Sequence, residues 1–195
     1  MFEQLYKSIH AHVTLTPEEW EFCKTKFIPK RLRRRQYLLQ QGDVCRKLAF
    51  IEKGAVVAYT IDDKGTQKVI QFGFEGWWIA DLYSFLTNEP SALNIEALED
   101  SELLLIDKVE HEELMEQVHA IGNYHRILFQ NAFIALQRRV GNTIGTTAGE
   151  KYNTLVEEFP ASFFNRIPQH LIASYLGVTP ETLSRVRNQR ASQRD

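Results

Sequence analysis

Short apolar runs separated by glycines and polar turns occupy the chain from about Gln36 to Asp107. One run ends at Asp62-Asp63-Lys64-Gly65, a sequence typical of a hairpin turn. Strands that recur about every 8–12 residues predict an antiparallel β-roll of the double-stranded β-helix or jelly-roll type. The predicted strands span residues 37–39, 48–51, 55–61, 69–72, 94–98 and 103–106.

A helical pattern follows, from Lys108 to about Arg139, with no proline and a single glycine, Gly122. Its apolar positions alternate four and three apart, a heptad seam that favours pairing with another helix. A continuous rod of this length would be about 48 Å long and would outrun a small domain. We therefore expect the seam to meet its copy in a homodimer, with an internal helix of one domain as the alternative. The seam residues are Leu114, Val118, Ile121, His125, Leu128, Ala132 and Ala135.

The last part of the chain has the pattern of a small helical unit. Gly141-Asn142 predicts a break or hinge, and a helix is expected from Thr147 until Pro160 stops it. The expected fold class is α+β. The predicted domains are a sensor β-roll (1–107), a dimerisation helix with its hinge (108–142) and a C-terminal domain (143–195).

The segment from Gln169 to Val186 has the spacing of a helix-turn-helix. Gly177 allows a left-handed turn, and Thr179-Pro180 supplies a capping hydroxyl followed by a proline in the first turn. Ala173 is small where the second helix would cross the first. The positions expected on the inner face are Ile172, Ala173, Leu176, Gly177, Val178, Leu183 and Val186.

The outer face of the second predicted helix carries side chains suited to reading DNA. At about 100° per residue, Glu181, Arg185 and Asn188 lie opposite the inner face. Glutamate, arginine and asparagine recognise base edges in the major groove. An intrahelical ion pair between Glu181 and Arg185 is the alternative use of these two side chains. The flanking positions are Thr182, Ser184 and Gln189.

Charge is distributed unevenly although the formal net charge is only −2. Residues 75–116 carry twelve acidic residues and one basic residue, whereas residues 179–194 carry four arginines and one acidic residue. A basic end on an acidic body indicates that nucleic acid would bind at the C-terminus, where we expect Arg190 and Arg194 to meet phosphates. Solubility is the alternative reason for a basic tail. The basic run Lys30–Arg35 is expected to form the solvated side of an entry strand.

Composition excludes several classes of protein. The chain is 44% hydrophobic and has no apolar run long enough for a membrane helix, and its first residues lack the pattern of a signal peptide. Its two cysteines, Cys23 and Cys45, cannot form a disulfide scaffold or a four-cysteine metal site. We therefore predict a cytoplasmic protein with no membrane partner and no metal site. No nucleophile elbow, phosphate loop or matched acid pair is present, so no catalytic residue is assigned and no enzyme is predicted.

The order of these parts resembles the Crp/Fnr family of bacterial transcription regulators over nearly the whole chain. The resemblance is carried best by residues 50–56, 89–92 and 172–186. It implies a cyclic-nucleotide-binding-type β-roll and a homodimer on an inverted-repeat DNA site, with RNA polymerase as a further partner. It also implies that Glu181 and Arg185 touch bases, while Gln169, Thr179 and Thr182 touch the DNA backbone.

Departures from the family pattern argue against cAMP. Ala80-Asp81 stands where cAMP-responsive members have Gly-Glu, and Pro90 stands in the position of the phosphate-binding arginine. Leu136 and Gln137 occupy helix positions where the family uses hydroxyl residues. A cyclic phosphate would lack its charged partner here, so no cofactor is predicted and any effector would be flatter and less anionic. Pro180 replaces a base-reading arginine of some members, which leaves the target sequence open. The pocket residues we would expect are Trp77, Trp78, Asp81, Tyr83, Ser84, Pro90, Ser91 and Leu136.

The predicted function is a homodimeric, sequence-specific DNA-binding transcription regulator. The alternative is a ligand-sensing β-roll module that acts through protein partners and retains a vestigial helix-turn-helix. Whether the protein activates or represses, and which effector it has, stay open at this point.

Overall fold

The computed structural model describes residues 1–143 and 145–192. Two short helices precede the strands, and the second begins with a capping box in which Thr16 and Glu19 satisfy each other's backbone N–H groups. In chain order the elements are α1 (Glu3–His10), α2 (Pro17–Thr25), β1 (Ile28–Leu32), β2 (Tyr37–Leu39), β3 (Lys47–Lys53), β4 (Val56–Ile61), β5 (Gln67–Gly73), β6 (Trp78–Ile79), α3 (Leu82–Thr87), β7 (Asn94–Ala97), β8 (Ser101–Asp107), α4 (Lys108–Gln117), α5 (His119–Thr143), α6 (Ala148–Glu158), α7 (Ala161–Arg166), α8 (Gln169–Leu176) and α9 (Pro180–Ser192).

Two four-stranded antiparallel sheets form the roll, with strand orders β1-β8-β3-β6 and β2-β7-β4-β5. They bury a common core that includes Phe50, Ile95 and Leu103. All six predicted strands are present, so the expected antiparallel architecture is confirmed. β6 and α3, which lack a clear alternation, were not predicted.

β1 is the entry strand expected ahead of the roll. It lies at the edge of its sheet and pairs only with β8. This position tolerates Pro29, which has no N–H to donate to a neighbouring strand. Lys30 and Arg31 are exposed on it, whereas Leu32 is buried.

The long helix departs from the prediction in two respects. It is broken at Val118, where the backbone leaves the helical region (φ −121°, ψ 88°), so that α4 and α5 are separate helices. Leu114, Val118 and Ile121 are only 1%, 2% and 1% exposed and pack into the core of their own roll. These three residues therefore cannot contact a second copy, which corrects the amino end of the predicted dimer seam.

The C-terminal helices pack on the outer face of the second sheet. A second core joins Val69 and Phe72 of the roll to Phe163, Leu171 and other residues of α6 to α9. α6 begins with the capping box of Thr147 and Glu150, close to where its start was predicted. The roll and the C-terminal helices thus share buried apolar surface.

Candidate nucleic-acid interface

The turn between α8 and α9 is closed by local hydrogen bonds. Gly177 adopts the left-handed conformation (φ 68°, ψ 32°), and the Val178 N–H donates to the Ala173 carbonyl at 3.0 Å. The Thr179 hydroxyl accepts a hydrogen bond from the Thr182 N–H at 3.2 Å and so caps the start of α9. Glycine and threonine therefore occupy the positions at which the turn needs their particular chemistry.

The inner face of this helix pair is formed by the residues that the spacing singled out. Ile172, Ala173 and Leu183 are buried together. Leu176, Val178 and Val186 are partly buried against the same cluster. The inner faces of the two helices are therefore part of the second core.

The opposite face of α9 is open to solvent. Glu181, Arg185 and Asn188 are exposed, and within residues 145–192 no ion pair joins Glu181 to Arg185. The pKa of Glu181 is lowered by its own backbone N–H and by the Thr179 hydroxyl, so its carboxylate caps the helix start. The other predicted contacts are also exposed, except half-buried Thr182: Gln169, Thr179, Pro180, Ser184 and Gln189.

Arg190 differs from the other predicted DNA contacts. Its guanidinium donates to Asn153 Oδ1 at 2.9 Å and lies 5.8 Å from the centre of the Tyr152 ring. In this structure Arg190 therefore ties α9 to α6. Arg194, which was predicted to meet phosphates, lies outside the described residues.

Three side chains, one each on α8, α5 and α7, make polar contacts with the roll. Ser174 Oγ accepts a hydrogen bond from the Val69 N–H at 3.0 Å and donates to the Gln67 carbonyl at 2.7 Å, which satisfies the edge of β5. The Arg139 guanidinium, on α5, donates to the Ile70 carbonyl of the same strand. Between the hairpin of β4 and β5 and the start of α9 a cleft of about 650 Å³ remains, lined by residues that include Lys68 and Thr179.

Arg166 makes the third contact, at the end of α7. Its guanidinium forms two hydrogen bonds with Glu75, at 2.9 and 2.8 Å, and two with Glu99, at 3.4 and 2.5 Å. Burial alone would raise the pKa of Glu75, but Arg166 and the Gly54 N–H outweigh it and lower that pKa. Sequence reasoning missed this cluster because its members are 67 and 91 residues apart and belong to no motif.

The polar residues of the expected effector pocket bond to one another. Asp81 caps α3 by accepting from the Ser84 N–H at 3.1 Å and also accepts from Ser91 Oγ at 2.7 Å. Ser84 Oγ donates to the Glu89 carbonyl at 2.5 Å. All three side chains are buried. Their hydrogen-bonding groups are therefore engaged within the protein and form a buried hydrogen-bond network at α3.

The two tryptophans of that predicted pocket, Trp77 just before β6 and Trp78 within it, have different neighbours. Trp77 packs 5.8 Å from Phe159 of the C-terminal helices. Trp78 packs 5.3 Å from Phe50, and its indole N–H donates to the hydroxyl of Tyr124 on α5 at 3.0 Å. The structure does not bring the predicted set together around one cavity, and its remaining members Tyr83, Pro90 and Leu136 are exposed.

Comparison with known proteins places the roll in a described class. Residues 29–118 match the family model of the cyclic nucleotide-binding domain. No curated protein matches the chain. Within the described residues, no helix is long and apolar enough to span a membrane, and no group of three or more potential ligands is arranged to hold a metal ion.

Several solved structures have a similar fold over most of the chain. FixK2 from Bradyrhizobium japonicum is 18% identical, with a TM-score of 0.74 and coverage of 86% of this chain and 85% of that one. The c-di-GMP-responsive global regulator CLP of Xanthomonas campestris is 15% identical, with a TM-score of 0.68 and coverage of 91% and 93%. A protein from Eubacterium rectale described as a Crp/Fnr-family transcriptional regulator is 17% identical, with a TM-score of 0.66 and coverage of 92% and 85%. At these identities the likeness is one of fold alone.

Proposed function

We propose that the protein is a homodimeric DNA-binding regulator of transcription in which α8 and α9 form a helix-turn-helix and α9 reads the major groove. The observation that carries the proposal is the exposed row Glu181, Arg185 and Asn188 on a helix whose other side is fixed by a buried core. Side chains of these three types make hydrogen bonds to base edges. The Crp/Fnr-type fold of the chain supports the same reading.

The second half of α5 supports dimerisation. Phe129, Phe133, Leu136 and Val140 are 46%, 61%, 57% and 55% exposed and are spaced four, three and four apart. Exposed apolar residues with this spacing are typical of the seam of a two-helix coiled coil. We place the dimer contact on this stripe rather than on the predicted seam, whose first members are buried in their own roll.

Titration of purified protein on an inverted-repeat duplex and on a scrambled duplex tests DNA recognition. Two copies of α9 related by a two-fold axis would lie about 34 Å apart on such a site. We expect Arg185→Ala to weaken specific binding by about 1–3 kcal/mol per half-site and to relax the preference at one base pair in each half. Arg46→Ala, which removes an exposed arginine from the loop between β2 and β3, serves as the control. Equal loss of affinity on both duplexes would reassign Arg185 as a phosphate contact.

We also propose that the roll does not take cAMP. Pro90 cannot pair with a phosphate, and Asp81 is engaged by Ser84 and Ser91. Calorimetric titration with cAMP should therefore show no heat of binding at micromolar concentration, with the fold checked by circular dichroism. A micromolar or tighter site would overturn this part of the proposal.

A module that acts through protein partners is the second candidate. Tyr83 and Leu86 on α3 are exposed, and so is Val109 at the start of α4. The side chain of Lys108, which precedes Val109, donates to the Leu86 carbonyl at 3.0 Å and brings these apolar groups to one side of the roll. Contiguous exposed apolar side chains favour a protein interface. Loss of regulation in Leu86→Ser with unchanged DNA binding would favour this candidate. Unchanged regulation would favour a regulator that acts through DNA binding alone.

A further inference from the structure

Arg139, near the end of α5, contacts two other elements with one guanidinium group. It donates a hydrogen bond to the Ile70 carbonyl of β5. It also lies over the ring of Tyr175 on α8, with its central carbon 4.1 Å from the ring centre. A guanidinium can make both contacts at once, because its N–H groups lie in its plane while its face stacks on an aromatic ring. Arg139 therefore joins α5, β5 and α8 at one point.

The part of β5 that this arginine contacts also holds α8. Ser174 accepts a hydrogen bond from the Val69 N–H at 3.0 Å and donates to the Gln67 carbonyl at 2.7 Å. The Tyr175 ring packs 5.3 Å from Phe72 of the same strand. Since β5 is an edge strand, α8 lies along the side of β5 that has no neighbouring strand. The arginine ties this assembly to α5.

The covalent connection between α5 and α6 does not fix their relative orientation by itself. It contains Gly145, whose backbone adopts a left-handed conformation (φ 78°). Glycine has the least restricted backbone of the amino acids, so the angle between α5 and the C-terminal helices depends on side-chain contacts. Arg139 supplies such a contact four residues before the end of α5.

Arg139 is also next to the proposed dimer contact. The exposed apolar stripe of α5 ends with Leu136 and Val140, one helical turn before Arg139 and immediately after it. At about 100° per residue, Arg139 lies to one side of this stripe. A second copy would therefore cover the stripe, while β5 and α8 of the same chain contact the arginine.

We propose that Arg139 is the positioning residue that fixes the distance between the two copies of α9 in the dimer, and thereby the half-site spacing that the protein recognises. The inference rests on the proposed DNA-binding homodimer. α8 and α9 share one buried core, so the position of α8 determines that of α9. Two recognition helices of a dimer read successive major grooves when they lie about 34 Å apart. A rotation of α8 relative to α5 would change this distance twice, once in each copy.

The distance between the two copies of α9 can be measured without DNA. S184C places a spin label at an exposed position of α9, and the natural Cys23 and Cys45 are buried. Pulsed electron paramagnetic resonance on this background should give one narrow distance distribution. R139M should lose the narrow distribution. R138M, which removes the exposed charge of the preceding residue, should keep it.

Substitution of Tyr175 tests the same contact from the other side. Y175F keeps the ring face under the guanidinium and should keep the narrow distribution, whereas Y175L should broaden it as R139M does. Sedimentation velocity and circular dichroism check that each variant is a folded dimer.

DNA binding tests whether this position sets the recognised spacing. An inverted repeat is selected from random duplexes with the wild type and is then lengthened by two base pairs between its half-sites. The insertion should weaken binding by the wild type and R138M about tenfold or more, because it moves one half-site by about 7 Å and rotates it by about 70°. R139M should bind the original repeat about three- to tenfold more weakly and should lose most of the difference between the two duplexes.

The outcomes separate this inference from the proposed function. A narrow distribution in R139M, or an undiminished difference between its two duplexes, would overturn the positioning role alone. A monomeric R139M would place Arg139 in the dimer contact and would also overturn it. If R139M does not fold, the comparison of Y175F with Y175L decides in the same way. If the wild type gives no distance between labels or selects no duplex, the proposed function fails and this inference fails with it.

Discussion

At the scale of single residues, the most unusual pair in the molecule is His111 and His125. Their Nε2 atoms are 3.4 Å apart, and both rings are buried beside Trp78 and Phe85. Burial, with a smaller effect from neighbouring His111, lowers the pKa of His125 to about 3. Burial also lowers the pKa of His111, against an opposing effect of Glu112. Both imidazoles are therefore neutral in the folded protein at neutral pH.

This pair predicts a loss of stability in mild acid. An unfolded chain binds a proton at His125 near pH 6.5, whereas the folded chain keeps the ring neutral to about pH 3. Because the unfolded state binds more protons in that window, the free energy of unfolding should fall as the pH drops below 6.5, by about 2 kcal/mol at pH 5 for one such site. Urea denaturation at pH 5 and pH 8 measures the difference. His125→Gln should reduce it, and exposed His119→Gln should not; equal slopes for the two variants would contradict the assignment.

At the scale of elements, the two halves of α5 have different surroundings: the first half packs against the roll, and the second half carries an exposed apolar stripe. Its first turns bury Ile121 and Tyr124 against the roll, and the Tyr124 hydroxyl bonds with Ser8 at 2.7 Å and with the Trp78 indole at 3.0 Å. Its later turns leave the stripe of Phe129, Phe133, Leu136 and Val140 exposed. One helix therefore connects the core of the roll to the proposed dimer contact without a linker between them.

Substitutions on the stripe should affect dimerisation, whereas a substitution at another exposed apolar position of α5 should not. Phe133→Glu together with Leu136→Glu should convert the proposed dimer into a monomer, because four unpaired carboxylates would face each other at the proposed contact. Ile134→Glu is a matched control, since Ile134 lies on the same helix, is 46% exposed and points away from the stripe. Sedimentation velocity distinguishes the two species. A dimer that survives the double substitution would place the interface elsewhere.

At the scale of the whole molecule, the roll and the C-terminal helices are joined by one apolar core and by polar side-chain contacts. Arg166 bridges Glu75 and Glu99, and Ser174 completes the edge of β5. Phe72 packs 5.4 Å from Phe163 between them. The position of α9 is therefore coupled to the structure of the roll.

Removal of Arg166 should loosen this coupling without unfolding the roll. We expect Arg166→Met to cost about 1–2 kcal/mol, a modest value because its side chain is 26% exposed and those of its partners 31% and 39%. Amide hydrogen exchange should become faster in β5, where the Val69 N–H is bonded to Ser174. Lys26→Met, which breaks the ion pairs of Lys26 with Glu110 and Glu113 on α4, should leave exchange in β5 unchanged. Unchanged exchange in the Arg166 variant would mean that the apolar core alone fixes the C-terminal helices.

The sequence by itself determined the parts of the fold that depend on local chemistry. Short apolar runs separated by glycines and polar turns give the strands of the roll, because such turns recur at the spacing of short antiparallel strands. Gly177 and Thr179 give the turn before α9, because few other residues allow a left-handed backbone or cap a helix start. The exposed row of Glu181, Arg185 and Asn188 follows from helical periodicity once the inner face is known.

The tertiary structure decided which surface each element would meet. A heptad pattern shows that a helix has an apolar stripe but does not tell its own roll from a second copy, so Leu114 and Ile121 were assigned to the wrong neighbour. Trp77 and Trp78 are adjacent in sequence, yet exposed Trp77 packs beside Phe159 of the C-terminal helices whereas Trp78 packs against the core of the roll. Asp81, Ser84 and Ser91 are residue types that bind ligands, and only the folded loop reveals that they bind one another. Contacts such as Arg166 with Glu75 join residues far apart in the chain, and no local pattern records a distance that exists only after folding.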